Sequence, residues 1–143
     1  MSDTSARNVR ILVADDAELF RNLMKDFLTQ EGFEVLLAKD GLEALQTIKH
    51  ELPNLDLVLL DLLLPKMTGF DVLREARKGK LGAALPILCI TGVFKHPDKI
   101  TELQKLGATG FMTKDLSPGE IVDRIKRTLA EAPAAAGPSA GTE

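Results

Sequence analysis

Apolar residues along the chain follow two alternating rhythms. Five short runs at residues 9–14, 33–38, 56–60, 86–90 and 109–113 are dense in Val, Leu, Ile and Phe and predict β-strands. Longer stretches between them carry apolar residues at steps of three and four. The first holds Leu19, Phe20, Leu23, Met24, Phe27 and Leu28, read as one buried helical stripe, and ends at Gly32, which accepts a left-handed cap. Helices are predicted next over 41–50 (Leu42, Leu45, Ile48), 69–78 (Phe70, Val72, Leu73, Ala76) and 97–106 (Ile100, Leu103, Leu106). The last helix opens on Ser117-Pro118-Gly119-Glu120, a capping box with proline in the first turn, and directs Ile121, Val122, Ile125 and Leu129 inward.

Leu57-Val58-Leu59-Leu60 and Ile87-Leu88-Cys89-Ile90 are apolar at every position rather than at alternate ones, as parallel strands covered by helices on both faces require. The strand–helix rhythm therefore predicts an open, doubly wound parallel α/β sheet. A length of 143 residues fits one domain with a continuous core, expected over 8–131 after a short extension at 1–7. From Ala132 to Thr142 the chain holds only Ala, Pro, Gly, Ser and Thr, too little apolar surface to build a core, so 132–143 is expected to be a disordered tail. A formal charge of -3 supplies no basic field and argues against direct nucleic-acid binding. No apolar run approaches the ~18 residues of a membrane span, and the first residues lack a signal peptide's apolar stretch, so a cytoplasmic location without membrane contact is expected. Cys89, the single cysteine, falls inside an apolar run and is expected to be a buried, inert thiol.

In open parallel sheets, ligands bind beyond the carboxyl ends of the strands, where loops converge and helix N-termini point. Here the first strand runs into Asp15-Asp16, the third into Asp61, the fourth into Thr91-Gly92 and the fifth into Lys114. Any one of the acids is explained as well by helix capping, as Asp16 would do for a helix starting near Ala17. Three acids, a threonine and a lysine recurring at these strand ends are not. Two carboxylates ~5 Å apart at an effective dielectric of ~20 repel by ~3 kcal/mol. A hard divalent cation relieves that repulsion, and Mg²⁺ commonly binds through one or two carboxylates while bridging to a phosphate. Lys114 adds a mobile cation and Thr91 a hydroxyl; both suit phosphoryl oxygens and neither is required by a metal alone. The set points to phosphoryl transfer with Asp61 as the nucleophile.

At these residues the chain resembles the receiver domains of the two-component response-regulator family. The resemblance covers about residues 8–130 and lies in Ile11-Leu12-Val13-Ala14-Asp15-Asp16 followed by Arg21, Leu59-Leu60-Asp61 through Pro65-Lys66-Met67-Thr68-Gly69, Ile90-Thr91-Gly92, and Gly107-Ala108 through Thr113-Lys114. It implies a flavodoxin-like fold with strand order 2-1-3-4-5 and helices on both faces. It also implies a phospho-aspartate formed from a histidine kinase's phospho-histidine, with Mg²⁺ as the cofactor. Carried over, Asp61 is the phosphoacceptor, Asp16 a direct Mg²⁺ ligand, Asp15 a ligand directly or through water, and Leu63 a ligand through its backbone carbonyl. Thr91 and Lys114 bind phosphoryl oxygens, and Phe111 stands at the aromatic switch position. Three departures stand out. Phe111 replaces the tyrosine of many members, so a switch here works through packing, and a core role for Phe111 is the alternative. Asp115 follows Lys114 where many members have proline, which leaves that peptide's geometry open. Leu63 puts an apolar side chain two residues past the acceptor.

The resemblance implies a stand-alone, chemotaxis-regulator-like receiver. It is not an enzyme in the ordinary sense, carrying out only its own Mg²⁺-dependent phosphorylation and dephosphorylation. Its expected partners are a histidine kinase or histidine phosphotransfer protein and an unidentified protein target. The target face is placed at 95–105, where Lys95, Lys99 and Lys105 lie, together with Phe111. A phosphorelay intermediate that passes the phosphoryl group to a histidine phosphotransfer protein fits the same residues. An aspartate-nucleophile phosphatase fits them poorly, because such enzymes carry Asp-x-Asp after the first strand. No Gly-x-x-x-x-Gly-Lys-[Ser/Thr] loop occurs, and His50 and His96 lack ligand spacing.

Overall fold

The five apolar runs become parallel strands: β1 (Arg10–Ala14), β2 (Glu34–Ala38), β3 (Leu57–Asp61), β4 (Ile87–Thr91) and β5 (Gly110–Thr113), in the order β2-β1-β3-β4-β5. The computed structural model describes residues 8–92 and 97–131; the segments 1–7 and 132–143, with Lys95 and His96, lie outside them. The described residues also form helices α1 (Glu18–Gln30), α2 (Gly41–Glu51), α3 (Gly69–Ala76), α4 (Lys80–Ala84), α5 (Pro97–Leu106) and α6 (Pro118–Glu131), with a 3-10 turn at Leu52–Asn54. Strands β3 and β4 are buried at all positions, which explains why their sequence does not alternate.

The sheet divides the core in two. One face packs Leu12, Val58, Leu60, Ile87 and Cys89 against Ala44 and Ile48 of α2, Val72 and Leu73 of α3, and Leu103 of α5. The other packs Ile11, Val13, Leu59, Leu88 and Ile90 against Met24 and Leu28 of α1 and Ile121 and Ile125 of α6. Burial pushes the Cys89 thiol up to about 12, leaving it protonated and unreactive at neutral pH.

The stripe predicted for α1 is too wide. Met24 and Leu28 are buried, but Leu19 is 82% exposed and Leu23 faces solvent in part. At ~100° per residue, Leu19 lies ~140° and Leu23 ~100° around the helix from Met24, so one sheet face cannot cover all six. Leu42 and Ile100 likewise reach the surface of α2 and α5. Helix α4 is absent from the sequence prediction because five residues carry no periodicity. It starts after Gly79, at φ 93°, and Gly82 approaches α3 so closely that a Cβ there would sit 1.8 Å from the Ala76 carbonyl oxygen. Arg77 clasps this corner: Nη1 donates to the Gly82 and Leu85 carbonyls at 2.6 Å each, and Nε and Nη2 donate to the Gly107 carbonyl at 2.9 and 2.6 Å.

Candidate functional site

Strand register brings the chemistry together. Ala14 pairs with Leu60, so Asp15 and Asp61, each the next residue, lie level at the crest of the sheet. Asp61 pairs with Ile90, which sets Thr91 one step beyond it, and Thr91 pairs with Thr113, which sets Lys114 one step further. The Lys114 amide donates to the Thr91 carbonyl at 2.9 Å and extends the ladder under the site. Among the described residues all peptides are trans, Lys114–Asp115 included, which answers the question its missing proline leaves open.

Asp15, Asp16 and Asp61 each offer a carboxylate oxygen within 4.8 Å of the others. Asp15 and Asp61 are buried and Asp16 stands exposed at the rim. The Lys114 ammonium reaches between the two buried acids, 2.6 Å from Asp15 Oδ2 and 3.2 Å from Asp61 Oδ2. Burial raises the Asp15 carboxyl pKa, against the opposing pull of Lys114 and of the Ala17 amide that donates to its Oδ1. For Lys114, burial acts to lower the pKa, but the close contacts and charges of Asp15 and Asp61 outweigh it and the net shift is upward. The lysine is therefore a cation across the neutral range, held by two acids.

The loops fix these groups in place. Asp61 Oδ1 accepts from the Leu63 amide at 3.0 Å, a tight turn that keeps Leu63 beside the acceptor while its side chain points to solvent. Gly69, the first residue of α3, donates its amide to the Leu62 carbonyl at 3.0 Å. Gly41, at the start of α2, faces the same loop: a Cβ on it would lie 1.8 Å from the Met67 carbonyl oxygen. Lys66 takes φ 70° in that loop, and its ammonium lies 3.5 Å from Asp40, which caps α2 by accepting from Glu43 N at 2.7 Å. Asp16 does not cap α1; the Ala17 amide is taken by Asp15 instead.

A divalent cation fits this donor set. Asp15 Oδ2 is buried and has no aligned hydrogen-bond donor among the described residues; the Lys114 contact is an ion pair approaching off the hydrogen-bond direction. An oxygen with unused lone pairs, beside two more carboxylates, is what a hard ion replaces water with. Thr91 is fully buried at the end of β4, and Gly92 opens the surface beside Lys114, whose Cδ would lie 3.7 Å from a Cβ at that position. Phe111 sits on β5 opposite Cys89, half-buried against the α2/α3/α5 side of the core. His50 is exposed at the end of α2, away from this cluster.

Two side chains of α1 border the site, Arg21, which the family pattern includes without a role, and Phe20, which sequence reasoning does not place there. Arg21 Nη1 donates to the Asp15 carbonyl at 2.8 Å, and the Phe20 ring centroid lies 4.7 Å from Lys114 Nζ. The sequence offers no signal for the second contact, since Phe20 reads as one more apolar position of α1.

Comparison with known proteins places this geometry. The family profile described as response regulator receiver domain matches residues 11–126. The chain is 41% identical over 122 residues to the alkaline phosphatase synthesis transcriptional regulatory protein PhoP of Bacillus subtilis (strain 168), covering 85% of this chain and 49% of that protein. It spans about half the length of the curated relatives it matches. Among solved structures, the chemotaxis response regulator CheY4 of Vibrio cholerae superposes with a TM-score of 0.78 at 30% identity, covering 85% of this chain and 99% of that one. A CheY-like response regulator receiver domain protein from Methanospirillum hungatei JF-1 superposes at 0.81 with 29% identity, covering 88% and 97%.

Proposed function

The chain belongs to the response regulator receiver domain family, and on that premise we propose that Asp61 accepts a phosphoryl group from the phospho-histidine of a histidine kinase, in a Mg²⁺-dependent step that alters partner binding. The observation that carries this reading is the Lys114 ammonium lying between Asp15 and Asp61, at 2.6 and 3.2 Å, with a third carboxylate in reach. An Asp61 carboxylate oxygen attacks phosphorus, the bond from phosphorus to the histidine nitrogen breaks, and its electron pair stays on the imidazole. The product is an acyl phosphate. Bound Mg²⁺, held by Asp15, Asp16, Asp61 and the Leu63 carbonyl, would neutralise charge on the phosphoryl oxygens. Lys114 holds the acceptor's charge in check beforehand and supplies donors to a phosphoryl oxygen afterwards, with the Thr91 hydroxyl as the second donor. The Leu63 amide fixes the Asp61 carboxylate so that no reorientation is needed as the donor arrives.

The domain acts as a switch, not as an enzyme turning over a separate substrate; its own phosphorylation and hydrolysis are its chemistry. The face that answers to phosphorylation is proposed at Phe111 and the exposed residues of α5, among them Lys99 and Lys105; Lys95 of the same predicted face lies outside the described residues. The switch serves either an output domain in the same polypeptide or a separate protein. Relatives of both extents occur, the chain covering 49% of PhoP and 99% of CheY4. A cytoplasmic location goes with this reading.

Incubation with acetyl phosphate, with and without Mg²⁺, followed by intact-mass measurement tests the proposal. A phosphoryl adduct that requires Mg²⁺ and disappears in Asp61→Asn is the expected result. An adduct indifferent to either change overturns it.

A further inference from the structure

We propose that Phe20 is a positioning residue for the phosphorylation step: the face of its ring supports the Lys114 ammonium beside its two carboxylate partners. This rests on Asp61 being the acceptor. Phe20 lies in the first turn of α1, the helix that follows directly from the Asp15-Asp16 turn, so one short segment delivers two of the acids and the ring. The ring is half-buried and packed on the α1/α6 side of the core, which anchors it against rotation toward solvent. Its centroid is 4.7 Å from Lys114 Nζ, within the ~6 Å over which a ring quadrupole attracts an ammonium. The same nitrogen touches Asp15 Oδ2 and Asp61 Oδ2, and the lysine side chain remains only 22% exposed.

Three kinds of neighbour at this position would act differently. An acidic side chain would hold the ammonium by a directed ion pair and keep it from a phosphoryl oxygen. An aliphatic one would exclude water and attract nothing. An aromatic face attracts the cation without demanding that an N–H point at it, so all three donors stay available to oxygens as charge at Asp61 changes. Phe20 therefore holds the ammonium in the site while leaving its hydrogen bonds free to be exchanged.

The test compares initial rates of phosphorylation from acetyl phosphate in Mg²⁺ for the full chain and its Phe20→Leu and Phe20→Tyr variants. Phe20→Leu is expected to slow the reaction by ~3–10-fold, and Phe20→Tyr, which keeps the π face, to stay within ~2-fold. Because the ring acts through the lysine, Phe20→Leu in a Lys114→Met background is expected to change nothing further. A ring that merely packs would give the same slowing in both backgrounds, and that result, or a Phe20→Leu rate equal to wild type, overturns the inference. A second readout needs no phosphoryl group. The Lys114 ε-methylene protons should show an upfield ring-current shift in NMR spectra of the wild type and Phe20→Tyr that is lost in Phe20→Leu; its absence from the wild type also overturns the inference. If the wild type takes no phosphoryl group at all, the acceptor reading falls, and the ring-current shift decides the placement of Phe20 alone.

Discussion

Gly69 lies so close to Asp61 that a Cβ on it would sit 2.5 Å from the Asp61 carbonyl oxygen and 2.7 Å from Leu62 Cα. The contact is with backbone on both sides, so no side chain can move away to relieve it. Gly69→Ala is predicted to cost ~1–3 kcal/mol of stability through overpacking and to displace the acceptor's peptide. Denaturant unfolding checks the first effect and the rate of adduct formation the second; a variant as stable and as fast as wild type would show that the α3 N-terminus yields freely.

Asp15 is a group whose burial works against the fold. Its carboxyl pKa is raised by burial above the ordinary 3.8, so at neutral pH the ionised form destabilises the folded state. Asp15→Asn is predicted to raise the melting temperature by ~2–5 °C in the absence of divalent metal and to shrink the further rise that Mg²⁺ produces. Thermal melts with and without Mg²⁺ measure both. A lower melting temperature in the metal-free variant would mean that the ion pair with Lys114 outweighs burial.

Asp40 has the opposite sign. The Glu43 amide it accepts from, opposed by burial and helped by Lys66, holds its carboxyl below the usual 3.8. Its stabilising contribution is therefore complete above the unfolded value and is lost as pH falls through the lower, folded one. Asp40→Asn, which still caps the helix, should melt below wild type at neutral pH, and the gap should close as pH drops below 3.8. A gap constant with pH would contradict the assignment.

Arg77 lies away from the acidic cluster and, among the described residues, donates to carbonyls and a hydroxyl, at the corner where α3, α4 and the loop before β5 meet. Arg77→Lys cannot span these acceptors and is predicted to lose ~2 kcal/mol while phosphorylating at the wild-type rate in saturating Mg²⁺. Urea unfolding paired with adduct kinetics checks this; an equal stability would show the clasp to be incidental.

Asp61, Thr91 and Lys114 were legible in the sequence because each ends a strand, and β3 and β4 announce themselves through unbroken apolar runs. Position at a strand end is local information, and parallel pairing then makes those ends neighbours. What stayed hidden was non-local or too short for a period. Leu19 and Leu23 share helical spacing with Met24, and spacing cannot say which of two adjacent stripes meets the sheet. Helix α4 is scarcely more than one turn. The placement of Lys114 Nζ over Phe20 brings the first turn of α1, which packs on β1 and β2, to a residue that follows the edge strand β5, and that follows only from the assembled layers. That Asp15 rather than Asp16 accepts from the Ala17 amide was hidden for a similar reason, since adjacent acids differ only in which way the turn points them.

Locating the phosphoryl group is the most direct measurement. After reaction with acetyl phosphate and Mg²⁺, borohydride reduction converts an acyl phosphate on an aspartate to homoserine, and tandem mass spectrometry identifies the residue changed. The prediction is homoserine at position 61 and at no other acidic residue, and only when Mg²⁺ is present. Homoserine at 15 or 16, or none at 61 under conditions that yield the adduct, would contradict it.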